Sequence, residues 1–110
     1  MISVILYKKE GNLEGFKVSG HAGYAKKGKD IICAAVSSLV ITTVNALESF
    51  TEDEKEISAS ENGAVIEVKF KDLPGHDAQL LMKSMVLGLK QISEENGFVK
   101  ISDEEEKTHD

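Results

Sequence analysis

Ile2, Val4 and Leu6 alternate with Ser3, Ile5 and Tyr7, a two-residue period that predicts a mostly buried first strand. Glu10-Gly11-Asn12 reads as a turn. Beyond it, Phe16 and Val18 alternate with Lys17 and Ser19, so a second strand pairs with the first as a hairpin. Residues 20 to 29 carry three glycines, no long apolar residue and no periodicity, which predicts a loop of about ten residues. From Asp30 to about Thr51 the period changes. Ile32, Val36, Leu39, Val40, Leu47 and Phe50 mostly keep three- and four-residue spacing, with Thr43 filling a slot between, and predict a helix. Asp30 is its expected N-cap, because a carboxylate there accepts an amide hydrogen of the first turn.

Ile57 and Ala59 make a weak third strand, and Asn62-Gly63 is a two-residue hairpin signal. Ala64, Ile66, Val68 and Phe70 mark a fourth strand. Leu73-Pro74-Gly75-His76-Asp77 opens a second helix that runs to about Glu95, where Asn96-Gly97 supplies a left-handed cap. Phe98 to Ile101 adds a short closing strand. The order is ββαββα plus a short C-terminal strand. It predicts an α+β fold: a two-layer sandwich in which two main helices cover a mostly antiparallel sheet. The apolar residues of the second helix spread over more than one face. Met82, Met85, Val86 and Leu89 are not expected to share one core stripe, which points to a second subunit.

At 110 residues the chain fits one domain, residues 1–102, followed by an acidic, frayed and disordered tail at 103–110. A hydrophobic content of 41% with 29% charge excludes intrinsic disorder of the whole. The net charge of −6 argues against a protein that tracks a phosphate backbone, so no direct nucleic-acid binding is expected. The apolar stretch in MISVILYKKEG is about six residues, with its lysines after it. That is wrong for a signal peptide and too short for a membrane span, so a cytoplasmic protein without membrane contact is expected. The lone cysteine, Cys33, fits a reducing compartment. One cysteine and three scattered histidines show no metal-ligand spacing, and the glycines of the loop match neither a P-loop nor a dinucleotide fingerprint. No metal and no cofactor is expected.

The candidate chemistry lies where the loop meets the first helix. If Asp30 caps that helix, Cys33 is in its first turn, where the macrodipole favours thiolate. His21, twelve positions upstream between glycines, is placed to accept the thiol proton if the loop folds back. Asp30 and Ser37 lie three before and four after Cys33, on one side of the helix. Each residue also has a plainer reading. Cys33 sits among Ile32, Ala34, Ala35 and Val36 as a small core residue would, His21 fits solvent-exposed decoration, and Asp30 either orients an imidazole or merely caps. His76 and His109 read as surface. Lys26, Lys27 and Lys29 either keep the loop soluble or steer an acidic or ribonucleoprotein-bound partner.

GHAGYAKKGKDIICAAVSSL, preceded by an aliphatic hairpin and followed by the helix LLMKSMVLGLKQISEENG, closely resembles the ribosomal-processing cysteine proteases, the Prp family. The resemblance covers nearly the whole chain to Ile101. Its specific part is Gly20-His21-Ala22, the glycine-rich loop, and Asp30-x-x-Cys33-Ala34-Ala35-x-Ser37. It implies a cysteine endopeptidase that trims a short N-terminal extension from protein twenty-seven of the large ribosomal subunit. The extension carries phenylalanines just before the cut and a small residue after it. The resemblance further implies Cys33 as nucleophile, His21 as base, supporting positions at Asp30 and Ser37, and a homodimer. A mobile loop would close over the site, with Gly20, Gly23 and Gly28 allowing closure only on a correct peptide. The rival expectation is a non-catalytic ribosome-assembly adaptor of the same fold, in which Cys33 is packing.

Overall fold

A computed structural model describes residues 1–20, 29–60, 64–95 and 97–106, with only the backbone of Lys29 and Asp30. The elements are β1 (Ile2–Lys9), β2 (Asn12–Ser19), α1 (Lys29–Phe50), β3 (Lys55–Ala59), β4 (Val65–Phe70), α2 (His76–Glu95) and β5 (Val99–Glu105). The five strands form one sheet in the order β3-β4-β2-β1-β5. Three neighbouring pairs are antiparallel, and β5 runs parallel to β1. The α+β two-layer architecture expected from the pattern is present.

Ile2, Val4, Leu6, Phe16, Val18, Ile66, Val68, Phe70 and Val99 point to one side of the sheet and are buried there. Val36, Val40, Val44 and Leu47 of α1 and Ala78, Met82, Met85 and Leu89 of α2 complete this core. The spacing explains why α2 needs no partner for its methionines. Positions 78, 82, 85 and 89 form one i, i+4, i+7, i+11 stripe, so Met82, Met85 and Leu89 lie inside the subunit. This corrects the expectation that they spread over two faces. The large apolar residues that α2 leaves exposed are instead Leu80 and Leu87. Ile31–Phe50 of α1 is long and apolar enough to cross a membrane by length and composition, yet one of its sides packs into the core.

Leu13 and Phe16 have opposite parity, but both are buried. The register of β1 against β2 shifts between Tyr7 and Lys8, where Gly15 faces Tyr7 and Leu13 faces Lys8. Glu14 is therefore the extra residue of a bulge, which returns Leu13 to the core face. Gly15 is required here, because an added Cβ would lie 2.1 Å from the Val68 carbonyl oxygen on β4. Gln79 of α2 fastens the start of β2: it accepts from Leu13 N at 3.1 Å and donates to Leu13 O at 2.6 Å.

Two boundaries differ from expectation. First, α1 begins at Lys29, so Asp30 is inside the helix and does not cap it. Second, β5 continues through Asp103, Glu104 and Glu105 where a disordered tail was expected. These residues gain backbone partners along β1, and Glu106 N donates to Lys8 O at 2.7 Å. The acidic side chains are met too: Lys8 pairs with Asp103 at 3.0 Å, and Gly11 N donates to Glu105. Residues 107–110 lie outside the described residues. Asn62-Gly63 of the expected hairpin lies outside the described residues, as does Asn96 of the expected helix cap.

Candidate active site

The site is built where the chain leaves the sheet after β2 and re-enters as α1. Gly20 ends the sheet portion with φ +83, a left-handed conformation that costs glycine nothing. Its N–H donates to Ala64 O at 2.9 Å, tying it to the start of β4. On the other side an added Cβ would come within 2.6 Å of the Met1 carbonyl oxygen. Ile2 N in turn donates to Phe98 O at 2.7 Å, so the beginning of β1 is held as well. The last described residue before His21 is thus anchored between two strands. Gly20 needs to be glycine for its conformation and its neighbours, whatever the following residues do.

His21, Gly23 and Gly28 lie outside the described residues, and so does the side chain of Asp30. Cys33 is described. It is half-buried on α1 and packs against the core cluster, with part of its surface open to solvent. Counting from Lys29 it is the fifth helical residue, two positions deeper than a helix capped by Asp30 would place it. The dipole is strongest in the first turn, so Cys33 stands at the margin of its influence. Ser37 is also half-buried, one turn further on. Four residues of helix rotate a side chain by only about 40°, so Cys33 and Ser37 share a flank of α1. The structure therefore brings two of the four motif positions together on one helix edge. It places the backbone of Asp30 a turn earlier and leaves His21 one residue beyond the anchored Gly20.

This arrangement suits acyl transfer. A partly accessible thiol near a helix N-terminus can attack a carbonyl, and amide hydrogens at the helix start can meet the oxygen that becomes negative. Among the described residues no three His, Cys, Asp or Glu side chains are grouped as metal ligands.

A second polar cluster lies away from Cys33, on the sheet face that the helices leave open. Tyr7 donates to Glu67 at 2.5 Å, and Lys69 stands over the Tyr7 ring at 5.3 Å. Burial pushes the Tyr7 hydroxyl above its ordinary range, with the hydrogen bond and charge of Glu67 adding to the effect. Glu14, the bulged residue, holds its proton to higher pH than an ordinary glutamate, chiefly because it hydrogen-bonds Glu106. The sequence offered no signal for this cluster, since its members come from β1, β2, β4 and the residue after β5 and meet only through the strand order and the bulge.

Comparison with known proteins places these features in context. The family described as cysteine protease Prp matches residues 1–99. A ribosomal processing cysteine protease Prp from Staphylococcus aureus is 32% identical over 96 residues, spanning 86% of this chain and 91% of the relative. A crystal structure described as an essential ribosomal processing protease Prp from S. aureus with a substrate peptide superposes with a TM-score of 0.85 at 26% identity. It covers 94% of this chain and 100% of that one. A further S. aureus Prp structure, with a covalently linked product peptide, gives a TM-score of 0.83 at 28% identity, with the same coverage.

Proposed function

This chain belongs to the Prp family of cysteine proteases, and on that premise we propose that it cuts a ribosomal protein with Cys33 as nucleophile and His21 as base. The substrate in this reading is the N-terminal extension of protein twenty-seven of the large ribosomal subunit. The carrying observation is the position of the sole thiol: Cys33 is half-buried and half-open on α1, just after the chain returns from the segment that carries His21. The covalently linked product peptide in the S. aureus relative supports a covalent route.

The steps follow from the residues. His21 takes the Cys33 proton, and the thiolate sulfur bonds to the carbonyl carbon before the cut. Amide hydrogens at the start of α1 stabilise the oxyanion of the tetrahedral intermediate. As it collapses the C–N bond breaks, and the imidazolium returns its proton to the leaving amine. Water then adds to the thioester, with His21 accepting its proton, and the departing sulfur regains a proton. The products are two peptides and the free thiol. Asp30 and Ser37 are the supporting positions of the pair. Closure of residues 21–28 over the peptide, with Gly23 and Gly28 bending beyond the anchored Gly20, couples recognition to assembly of the pair. The protein acts as a homodimer in the cytoplasm, a compartment that keeps a lone thiol reduced.

The test is cleavage of a peptide copying the N-terminus of that ribosomal protein, read by mass spectrometry. Wild type should release the extension, and Cys33→Ala should release none while keeping its circular dichroism spectrum. Cleavage by Cys33→Ala at the wild-type rate would refute the nucleophile.

A further inference from the structure

The two edges of the sheet are not alike. At one, β5 presents Asp103, Glu104 and Glu105, whose charges discourage a further strand. At the other, β3 carries no proline and keeps an unbroken register against β4. Ser60 N donates to Val65 O at 3.0 Å, and Lys71 N donates to Glu54 O at 3.0 Å. These two bonds fix the phase of the antiparallel ladder, so Glu54, Glu56, Ser58 and Ser60 turn their backbone groups toward β4. The N–H and C=O groups of Lys55, Ile57 and Ala59 therefore point outward, and among the described residues no strand lies beyond them.

Cys33 looks toward this same edge. Leu39 marks the side of α1 that meets α2, because a Cβ added to Gly88 of α2 would stand 2.7 Å from Leu39 Cδ2. At about 100° per residue, Cys33 and Ser37 lie ~120° and ~160° around the helix from Leu39, and the sheet-facing Val36, Val40, Val44 and Leu47 average ~95°. Cys33 and Ser37 thus occupy the quarter between the sheet and the flank away from α2. α2 in turn is fastened over the other half of the sheet, through Gln79 to Leu13 and through Ser93, whose hydroxyl donates to Val99 O at 2.9 Å. The thiol stands at the end of the step between α1 and β3 where β3 finishes, since α1 begins there and Gly20 N is bonded to Ala64 O. Ile41 on α1 and Ile57 on β3 are 46% and 36% exposed along the step.

We infer that the substrate peptide binds along this edge as a further strand, its backbone paired with Lys55, Ile57 and Ala59 and its scissile carbonyl carried to Cys33. The inference rests on the peptidase reading and adds to it the posture of the substrate. Main-chain pairing supplies affinity whatever the sequence, and alternate side chains of the peptide fall against Ile57 and Ile41. Charge then selects the class of peptide. From Cys33 to Glu48 the helix rises ~22 Å, the length of about seven extended residues. Around that remote end Glu48, Glu52, Asp53, Glu54 and Glu56 stand against Lys55 and Lys71. A peptide with lysine or arginine about seven residues from the cut meets complementary charge there. The β5 edge offers no such route, because α2 lies between it and the flank that carries Cys33.

Amide hydrogen exchange tests it, followed by nuclear magnetic resonance on full-length Cys33→Ala with the uncut extension peptide in excess. The amides of Lys55, Ile57 and Ala59 should exchange fast in the free protein and ~10-fold or more slowly at saturation, the protection expected of new backbone hydrogen bonds, while β5 is unchanged. In the active protein, Ala59→Pro removes an N–H that makes no bond to β4, so it should raise KM ~3–10-fold with kcat nearly unchanged. Replacing Glu48 and Glu52 together by Gln should raise KM ~3-fold or more at low salt and little at high salt. Cleavage by wild type with β3 amides that stay fast, or with slowing at β5 instead, overturns the added strand and leaves the peptidase standing. A peptide neither cut by wild type nor bound overturns both. Amides of β3 already slow in the free protein, and slower as its concentration rises, would give the edge to a second copy and overturn the inference. An unchanged KM in the double variant overturns the charge selection alone.

Discussion

Gly20 and Gly11 form a matched pair that isolates the effect of crowding at the margin of the site. Their φ angles are +83 and +82, so alanine suffers the same left-handed strain at either position, ~1–2 kcal/mol. Alanine also restricts the unfolded chain equally in both, which returns ~0.4–1 kcal/mol. The surroundings differ. Nothing lies within 4 Å of a Cβ at Gly11, whereas at Gly20 the Met1 carbonyl oxygen is 2.6 Å away. Relief requires the first peptide of β1 to move, but Ile2 N is held by Phe98 O; otherwise Gly20 N must release Ala64 O. Overpacking of this kind costs ~1–3 kcal/mol, and a weakened backbone hydrogen bond about 1 kcal/mol more. Gly11→Ala should therefore lose about 1 kcal/mol and Gly20→Ala ~3–4 kcal/mol, out of the ~5–15 kcal/mol expected for a domain of this size. Urea unfolding followed by far-ultraviolet circular dichroism measures both, and the thermal midpoint of Gly20→Ala should fall by ~15 °C. Peptide cleavage, assayed where both variants are folded, should suffer only in Gly20→Ala, since His21 follows directly. Equal destabilisation of the two variants would refute the argument from close approach.

Three further outcomes are expected. His21→Ala should lower the turnover of the extension peptide by ~10²-fold or more while changing its binding less, the mark of lost proton transfer; unchanged turnover would mean that another group activates Cys33. Gln79→Ala should cost about 2 kcal/mol in urea unfolding, because it leaves both Leu13 N and Leu13 O without their side-chain partner. Glu14 has a raised folded pKa, so the native state binds a proton that the unfolded chain has released. Its contribution is present at acid pH and lost as pH rises through the folded pKa. The urea midpoint of wild type should thus decline from the ordinary glutamate range toward neutrality more than that of Glu14→Gln, and parallel profiles would exclude the Glu14–Glu106 pairing.

Local pattern sufficed for the element order, the two helices and the layer architecture. Alternation over Ile2–Tyr7 and the three- and four-residue spacing of α1 are direct consequences of burying one side of a strand or helix. The motif around Cys33 was equally legible, because its members lie within a few residues of one another and a helix alone puts Cys33 and Ser37 on one flank. Other features depended on contacts distant in sequence. Asp103 to Glu105 look like a solvated tail until β1 offers them a parallel partner and Lys8 a counter-charge. Leu13 and Phe16 conflict in parity until the bulge at Glu14 resolves them against Tyr7 and Lys8. The α2 methionines look like an interface until α1 and the sheet close over one narrow stripe. Gly20 reads as part of a flexible run, and only the approach of Met1 and Ala64 makes it an anchor. Short-range periodicity records which residues seek burial. Which surfaces meet is decided by the packing of elements tens of residues apart.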